Sequence, residues 1–144
     1  MSKKIAIGGD HGGYDYKSKI IPWLEEKGYQ VKDFGPFKEG AVDYPDHVHP
    51  LCDAIESKEF ELGILICGSG NGVAITANKH KGIRAALCWN GELSKLARAH
   101  NNANVICLGA RFTGLEFAQT MILEFLQTDF EGGRHQTRVD KINC

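Results

Sequence analysis

The sequence lacks any apolar stretch approaching the ~20 residues of a membrane-spanning helix. Its purely apolar stretches are as short as Ile64-Leu65-Ile66-Cys67. Ile5-Ala6-Ile7, after Met-Ser-Lys-Lys, is too short for the core of a secretory signal. There is no surplus of charge of either sign. Seventeen lysines and arginines face eighteen acids, for a formal net charge of −1. That balance argues against general binding to nucleic acid or to anionic membranes, which needs a basic excess. Cysteine pairing is also missing. Cys52, Cys67, Cys88, Cys107 and Cys144 are odd in number and contain no Cys-x-x-Cys spacing, so neither a disulfide framework nor a zinc knuckle is expected. A reduced, cytoplasmic protein is expected. Internal repeats, low-complexity tracts and linkers are absent too, so the 144 residues should form one domain, 1–144.

What is present alternates. Short β-type runs end in glycine or polar loops, and most are followed by a helical period. Lys4–Gly8, Gln30–Phe34, Leu62–Cys67, Ile83–Cys88 and Val105–Leu108 read as strands. Tyr14–Lys27 reads as a helix with Lys17, Ile20, Ile21 and Leu24 on one face and Gly28 as its stop. A second helix starts at Pro45 and ends near Ser57, with Pro50 expected to kink it or delay its start. Further helices are predicted from the loop 68–72 to about Lys81, over Gly91–His100, over Gly114–Thr128 with Phe117 on its apolar face, and after Gly132-Gly133. This order predicts an α/β fold: a three-layer, Rossmann-like open parallel sheet of five strands with helices on both faces. Ligands of such sheets bind beyond the carboxyl ends of the strands. Those ends are Gly8–Gly13, Cys67–Gly72, Cys88–Gly91 and Gly109–Arg111, and the candidate residues are expected in or near them.

Four constellations carry chemistry. In Gly8-Gly9-Asp10-His11-Gly12-Gly13, glycines allow close backbone approach to a ligand, His11 can donate to a phosphate, and Asp10 can orient a hydroxyl or a second histidine or simply cap a helix. Cys67-Gly68-Ser69-Gly70-Asn71-Gly72 is an amide-rich loop before a helix, suited to an anion or oxyanion. It is neither the dinucleotide fingerprint, a P-loop nor a nucleophile elbow. Cys67 reads either as inert packing at a strand end or as an activated thiol at the mouth of that loop. His100-Asn101-Asn102-Ala103-Asn104 reads as a core histidine followed by a polar loop, or as a source of ligand-facing amides. Arg134 and Arg138, four apart on one helix face, suit a phosphate dianion, or pair with Glu131 or Asp140 on a solvated face. Arg111, just past the fifth strand, can join the same charge site. His47, His49 and His80 show no metal-ligand spacing and read as surface or core residues, so no metal site and no cofactor are expected.

Together Gly9-Asp10-His11-Gly12, Asp43-Tyr44-Pro45, Gly63 to Gly70, Ala77-Asn78-Lys79, Gly82-Ile83-Arg84-Ala85, Ala99-His100-Asn101 and Glu131-Gly132-Gly133-Arg134-His135 resemble the type B ribose-5-phosphate isomerases, a family that also holds galactose-6-phosphate isomerase. The resemblance implies interconversion of ribose 5-phosphate and ribulose 5-phosphate through an enediol(ate), in the non-oxidative pentose phosphate pathway. It implies a homodimer, or a dimer of dimers, with sites at the subunit interface. Cys67 matches the base and Ser69 the group that moves a proton between the two oxygens. The amides of Gly68, Gly70, Asn71 and Gly72 match the enediolate cradle. His100, helped by Asp10, matches the ring opener. His11, Arg134 and Arg138 match the phosphate ligands, and Asn101 and Arg111 further sugar-phosphate contacts. One branch of the family places a carboxylate base where Val73 stands here, which leaves Cys67 as the base candidate of this loop and disfavours the cysteine-lacking galactose-6-phosphate isomerase subunit. Allose 6-phosphate stays open as a second substrate, with Trp89-Asn90 bordering a loop that can shape sugar length. Two other readings stay open: a cysteine hydrolase using Cys67, His100 and Asp10, and a non-catalytic sugar-phosphate-binding module.

Overall fold

Five strands, β1 (Lys4–Gly9), β2 (Gln30–Asp33), β3 (Leu62–Cys67), β4 (Ala85–Leu87) and β5 (Val105–Gly109), form one sheet in the order β2-β1-β3-β5-β4. Every pairing is parallel. The computed structural model describes residues 3–144. Between the strands lie α1 (Tyr14–Glu26), α2 (Pro45–Glu56), α3 (Asn71–Ala77) and α4 (Gly91–Ala99), and α5 (Leu115–Gln127) and α6 (Arg134–Asp140) follow β5. A single 3₁₀ turn, His11–Gly13, joins β1 to α1.

The parallel sheet needs both faces covered, because each strand end is tied to a crossover helix. One face carries Ile5, Ile7, Ile64, Ile66, Ile106 and Leu108 against Ile20 and Leu24 of α1 and Met121, Ile122 and Phe125 of α5. The other carries Ala6, Leu65, Cys67 and Cys107 against Val48, Leu51 and Ile55 of α2 and Val73 and Ala77 of α3. The alternation of side chains along each strand thus feeds two apolar layers, and β3 is buried at all its positions. The five-stranded α/β architecture read from the sequence is the observed one.

Several local expectations are corrected. Pro50 neither delays nor interrupts α2, which starts at Pro45 and runs through it. Pro50 and Asp46, whose carbonyl loses its helical partner to the proline, are both exposed, so water can satisfy that group. The third helix ends at Ala77 rather than near Lys81. Asn78 turns its amide onto the edge strand instead, donating Nδ2–H to the Ala85 carbonyl at 2.9 Å and accepting from the Ala85 N–H at 2.8 Å. The fourth strand shrinks to Ala85–Leu87. Phe117 points away from the core, while Ala118, Met121, Ile122, Phe125 and Leu126 face it.

Candidate active site

From β1 the sheet order runs outward both ways, β2 on one side and β3 on the other, so the topological switch lies between β1 and β3. The carboxyl ends of these two strands hold a cleft of about 430 Å³ lined by Asp10, His11, Gly12, Tyr44, Cys67, Gly68, Ser69, Gly72, Arg111 and Phe112. A second recess of about 640 Å³ adjoins it, sharing Asp10, His11 and Tyr44.

The two loops that build the cleft are packed without slack. A Cβ on Gly9 would sit 1.9 Å from the Ile66 carbonyl oxygen, and one on Gly13 2.1 Å from it, so only glycine lets the β1 loop lie against β3. The Asp10 carboxylate accepts the Gly12 N–H at 2.7 Å, which closes the turn and fixes the carboxylate at the cleft. Cys67 ends β3 with 4% of its surface exposed. Its sulfur accepts the Gly70 N–H at 3.0 Å. Gly70 reaches that position at φ +83, a conformation side chains other than glycine rarely adopt. Ser69 is exposed, and its hydroxyl accepts the Asn71 N–H at 3.2 Å. Arg111 donates its backbone N–H to the Gly68 carbonyl at 3.0 Å and lays its guanidinium beside Gly68. A thiol, a hydroxyl, backbone amides, a carboxylate, an imidazole and a guanidinium therefore converge on one space.

His100, Asn101, Arg134 and Arg138 are not in that cleft, which corrects the expectation that all candidates lie at the carboxyl ends. The reason is directional. α4 returns antiparallel to the strands, so its last residue stands at the amino end of β5. Cys67 is registered with Gly109 and Gly63 with Val105. The strand rise between those levels alone amounts to about 13 Å. No intrachain triad of Cys67, His100 and Asp10 forms.

At that far end a second group of side chains gathers. His100 caps α4 and stacks on His135, ring centroids 4.1 Å apart. It is partly exposed rather than a core residue. The Glu131 carboxylate faces both rings, 3.8 Å from His100 Nε2 and 3.6 Å from His135 Nε2. Desolvation, then the charges of His100 and Arg134, hold the His135 imidazole below its ordinary range. Arg134, Thr137, Arg138 and Lys141 enclose a recess of about 390 Å³. Among the described residues no carboxylate lies within ion-pair distance of Arg134 or Arg138. Glu131 turns to the histidines, and Asp140 accepts from Gln136 at 2.7 Å. Arg138 Nη1 donates to the Arg134 carbonyl at 3.1 Å, and the remaining N–H groups of the two guanidiniums are left available for an external anion. Asn101 lies in a separate groove with Asn78 and Arg84.

A family model described as Ribose/Galactose Isomerase matches residues 5–142. The chain belongs to the ribose/galactose isomerase family. Ribose-5-phosphate isomerase B of Escherichia coli (strain K12) is 43% identical over 142 residues, covering 99% of this chain and 95% of that protein. A ribose 5-phosphate isomerase from Thermotoga maritima superposes with a TM-score of 0.97 at 45% identity, covering 99% of both chains. Ribose-5-phosphate isomerase B of Clostridium thermocellum gives 0.95 at 47% identity, over 96% of this chain and 94% of that one.

Within this isomerase family member, the other buried thiols are held in their neutral form. Burial, aided by Glu56 and Asp53, pushes Cys52 up to about 12, and burial raises Cys88 and, strongly, Cys107. Cys67 is the cysteine that reaches the cleft. Two cleft residues were given no role from the sequence, Tyr44 and Phe112. Tyr44 sits where a Cβ on Gly72 would meet its ring at 2.6 Å, so that glycine makes room for it. The stretch Asp43-Tyr44-Pro45 before α2 was the available signal for Tyr44; an aromatic directly after Arg111, just past the fifth strand, was the signal for Phe112.

Proposed function

We propose that this isomerase interconverts D-ribose 5-phosphate and D-ribulose 5-phosphate, with Cys67 as the base. The observation that carries the reading is the position of Cys67 at the switch point, in a cleft rimmed by the 68–72 loop, in a chain whose relatives are named ribose-5-phosphate isomerase B. Val73 is fully buried and apolar, so the loop offers no competing carboxylate. In the forward direction Cys67 takes the proton from C2 of the open-chain aldose and returns it to C1. Ser69 carries a proton from O2 to O1. The amides of Gly68 and Gly72 stabilise the negative charge that develops on the enediolate oxygens, joined by those of Gly70 and Asn71 as these turn from the Cys67 sulfur and the Ser69 hydroxyl. His11 and Arg111 hold the sugar-phosphate from the same side. Binding at the phosphate, remote from the reacting carbons, holds C1 and C2 against the thiol.

His100, Asn101, Arg134 and Arg138 serve the same reaction from a second copy of the chain. A homodimer, or a dimer of dimers, brings the partner subunit's His100 to the ring oxygen, assisted by Asp10, and the partner subunit's Arg134 and Arg138 to the phosphate. Two observations support this. The two groups stand at opposite ends of one sheet, and each is chemically incomplete alone. Exposed apolar side chains at Ile75, Trp89, Phe112 and Ile142 give a second copy surface to cover. The 144 residues act as one domain in this reading, and the enzyme works in the cytoplasm. Allose 6-phosphate is the second substrate to assay. Asn90 is less free for that selectivity than the sequence suggested, because its side chain accepts the Leu93 N–H at 2.9 Å as the cap of α4.

The test is proton exchange followed by NMR. Incubation with ribose 5-phosphate in D₂O should give ribulose 5-phosphate and deuterium at the exchanged carbon with the unaltered protein, and neither with Cys67→Ala. Near-normal kcat in Cys67→Ala would remove the thiol from the mechanism. Ligand-induced thermal stabilisation without turnover, on pentose and hexose phosphates alike, would leave a binding module.

A further inference from the structure

His80, Glu56 and Asp53 converge on the protein surface away from the cleft. His80 Nδ1 lies 2.9 Å from Glu56 Oε1 and 3.8 Å from Asp53 Oδ1, and the three donor atoms are all within 4.8 Å of one another. A tetrahedral first-row ion with bonds of roughly 2.0–2.1 Å separates its ligands by about 3.3 Å, between the two distances observed. Asp53 and Glu56 lie about one and nearly two turns beyond His49 along α2, so the three share a face. His80 is brought to that face by the turn after α3.

The outer contacts match those of a metal centre. His80 Nε2 lies 2.7 Å from His49 Nδ1, so the ring nitrogen that does not face the carboxylates has a partner that fixes the ring. Glu56 Oε2 accepts the Gly82 N–H at 2.8 Å, which leaves Oε1 for a ligand. That bond, followed by the contact with His80, holds the Glu56 carboxyl below its ordinary range and keeps it anionic. The Asp53 carboxylate is 73% exposed and makes no hydrogen bond among the described residues, so it is free to turn in. The side chain of His80 is 16% exposed, so one ligand is anchored while another is mobile.

We propose that His80 Nδ1, Glu56 and Asp53 form a site for a divalent transition ion, with zinc as the fitting species, and that His49 and the Gly82 amide orient its ligands. One imidazole and two carboxylates, completed by water, suit zinc or cobalt better than magnesium or calcium, which prefer all-oxygen sites. In the ligating tautomer His80 Nδ1 offers its lone pair to the ion and Nε2 carries the N–H toward His49 Nδ1; the proton that faces Glu56 in the metal-free tautomer passes through solvent to Nε2, and His49 takes its Nε2–H tautomer so that its Nδ1 accepts. The ion clips the carboxyl end of α2 to the α3–β4 turn, at the opposite end of α2 from Tyr44 and the cleft.

The test uses chelator-treated full-length protein titrated with Co²⁺ and observed by ¹H–¹⁵N NMR, with Zn²⁺ affinity measured by calorimetry. Paramagnetic effects should radiate from Gly82 and residues 53–57. Asp53→Asn, which disturbs no hydrogen bond, and His49→Ala, which removes only the orienting contact, should each weaken Zn²⁺ binding by roughly 10–100-fold. Isomerase activity and the metal-free melting temperature of Asp53→Asn should stay at the unaltered level. Equal Zn²⁺ affinity in Asp53→Asn, or paramagnetic effects centred on His100 and His135 alone, would overturn the site.

Discussion

Mixing two dead enzymes should restore activity, because the proposed catalytic groups stand at opposite ends of one chain. Cys67→Ala removes the base at the carboxyl end of β3, and His100→Ala removes the ring opener at the amino end of β5. Each homodimer then carries the same defect at both of its sites. A mixed dimer differs. One of its sites combines both lesions, while the other combines an intact Cys67 from one protomer with an intact His100 from its partner. Random reassortment makes half the dimers mixed, and each has one working site of two, so recovery should approach about a quarter of unaltered specific activity. The assay is ribulose 5-phosphate formation after the variants are unfolded in urea together and refolded, with native mass spectrometry to count mixed dimers. Cys67→Ala mixed with Ser69→Ala, two lesions in the same half, should recover nothing. The separation of at least about 13 Å along β5 makes the result decisive. An inactive Cys67→Ala and His100→Ala mixture, with mixed dimers present, would refute the shared site.

Other outcomes follow from single contacts. Arg138→Ala should raise KM far more than it lowers kcat, by about 1.5–3 kcal/mol or roughly 10- to 150-fold, since one charge-assisted bond to phosphate is lost; unchanged steady-state kinetics would take Arg138 out of the anion recess. Gly70→Ala should cost about 2–4 kcal/mol in urea unfolding, combining the left-handed backbone with a Cβ 2.4 Å from Leu87 Cδ1, and a loss below ~0.5 kcal/mol would contradict that packing. Lys17→Met should lower stability by roughly 3 kcal/mol, because the buried ammonium bonds both Asp33 oxygens, at 2.7 and 2.8 Å, and the Pro36 carbonyl; the low end of the range for broken ion pairs applies, as Asp33 is partly exposed. In alkali the folded state keeps Cys52 protonated up to about 12, whereas the unfolded chain ionises it from 9.0 upward. The unfolded state then binds fewer protons, so stability falls with rising pH above that point, by about 1.4 kcal/mol per pH unit for each such thiol, and Cys88 and Cys107 add to the slope. Urea midpoints measured between pH 8 and 11 check the sign; a flat profile would contradict it.

The strands were legible because both faces of a parallel sheet are buried, which makes runs such as Leu62–Cys67 almost wholly apolar. The glycine loops after β1 and β3 were legible because a ligand-facing turn needs residues without Cβ. Chain direction was the part that misled. Helical spacing says that His100 continues the face of α4, but not which end of the sheet that helix returns to. Local competition hid other features. Asn78 ends α3 early through bonds to Ala85, seven residues ahead, and the exposed position of Pro50 lets a helix continue where an isolated reading expects a defect. The stretch Asp43-Tyr44-Pro45 marked Tyr44 but not its role, since its place in the cleft comes from packing on Gly72 across a strand and a loop. His80 lacked any recognisable metal spacing because its carboxylate neighbours come from α2, 24 and 27 positions earlier in the chain.

The strand ladder does not stop where the strands do. Asp10 donates its N–H to the Ile66 carbonyl at 3.2 Å, Ala110 to the Cys67 carbonyl at 2.8 Å, and Arg111 to the Gly68 carbonyl at 3.0 Å. The loops around the thiol are therefore extensions of the sheet, and their amides should exchange with deuterated solvent nearly as slowly as those of β3 itself. The segment from Phe37 to Asp43 has no regular structure, and Gly40 has nothing within 4 Å of its Cβ position, so its amides should exchange within the earliest time points. The proposed base is then held as firmly as the core, while substitutions between residues 37 and 41, short of the Val42 and Asp43 that line the neighbouring recess, should leave its position unchanged.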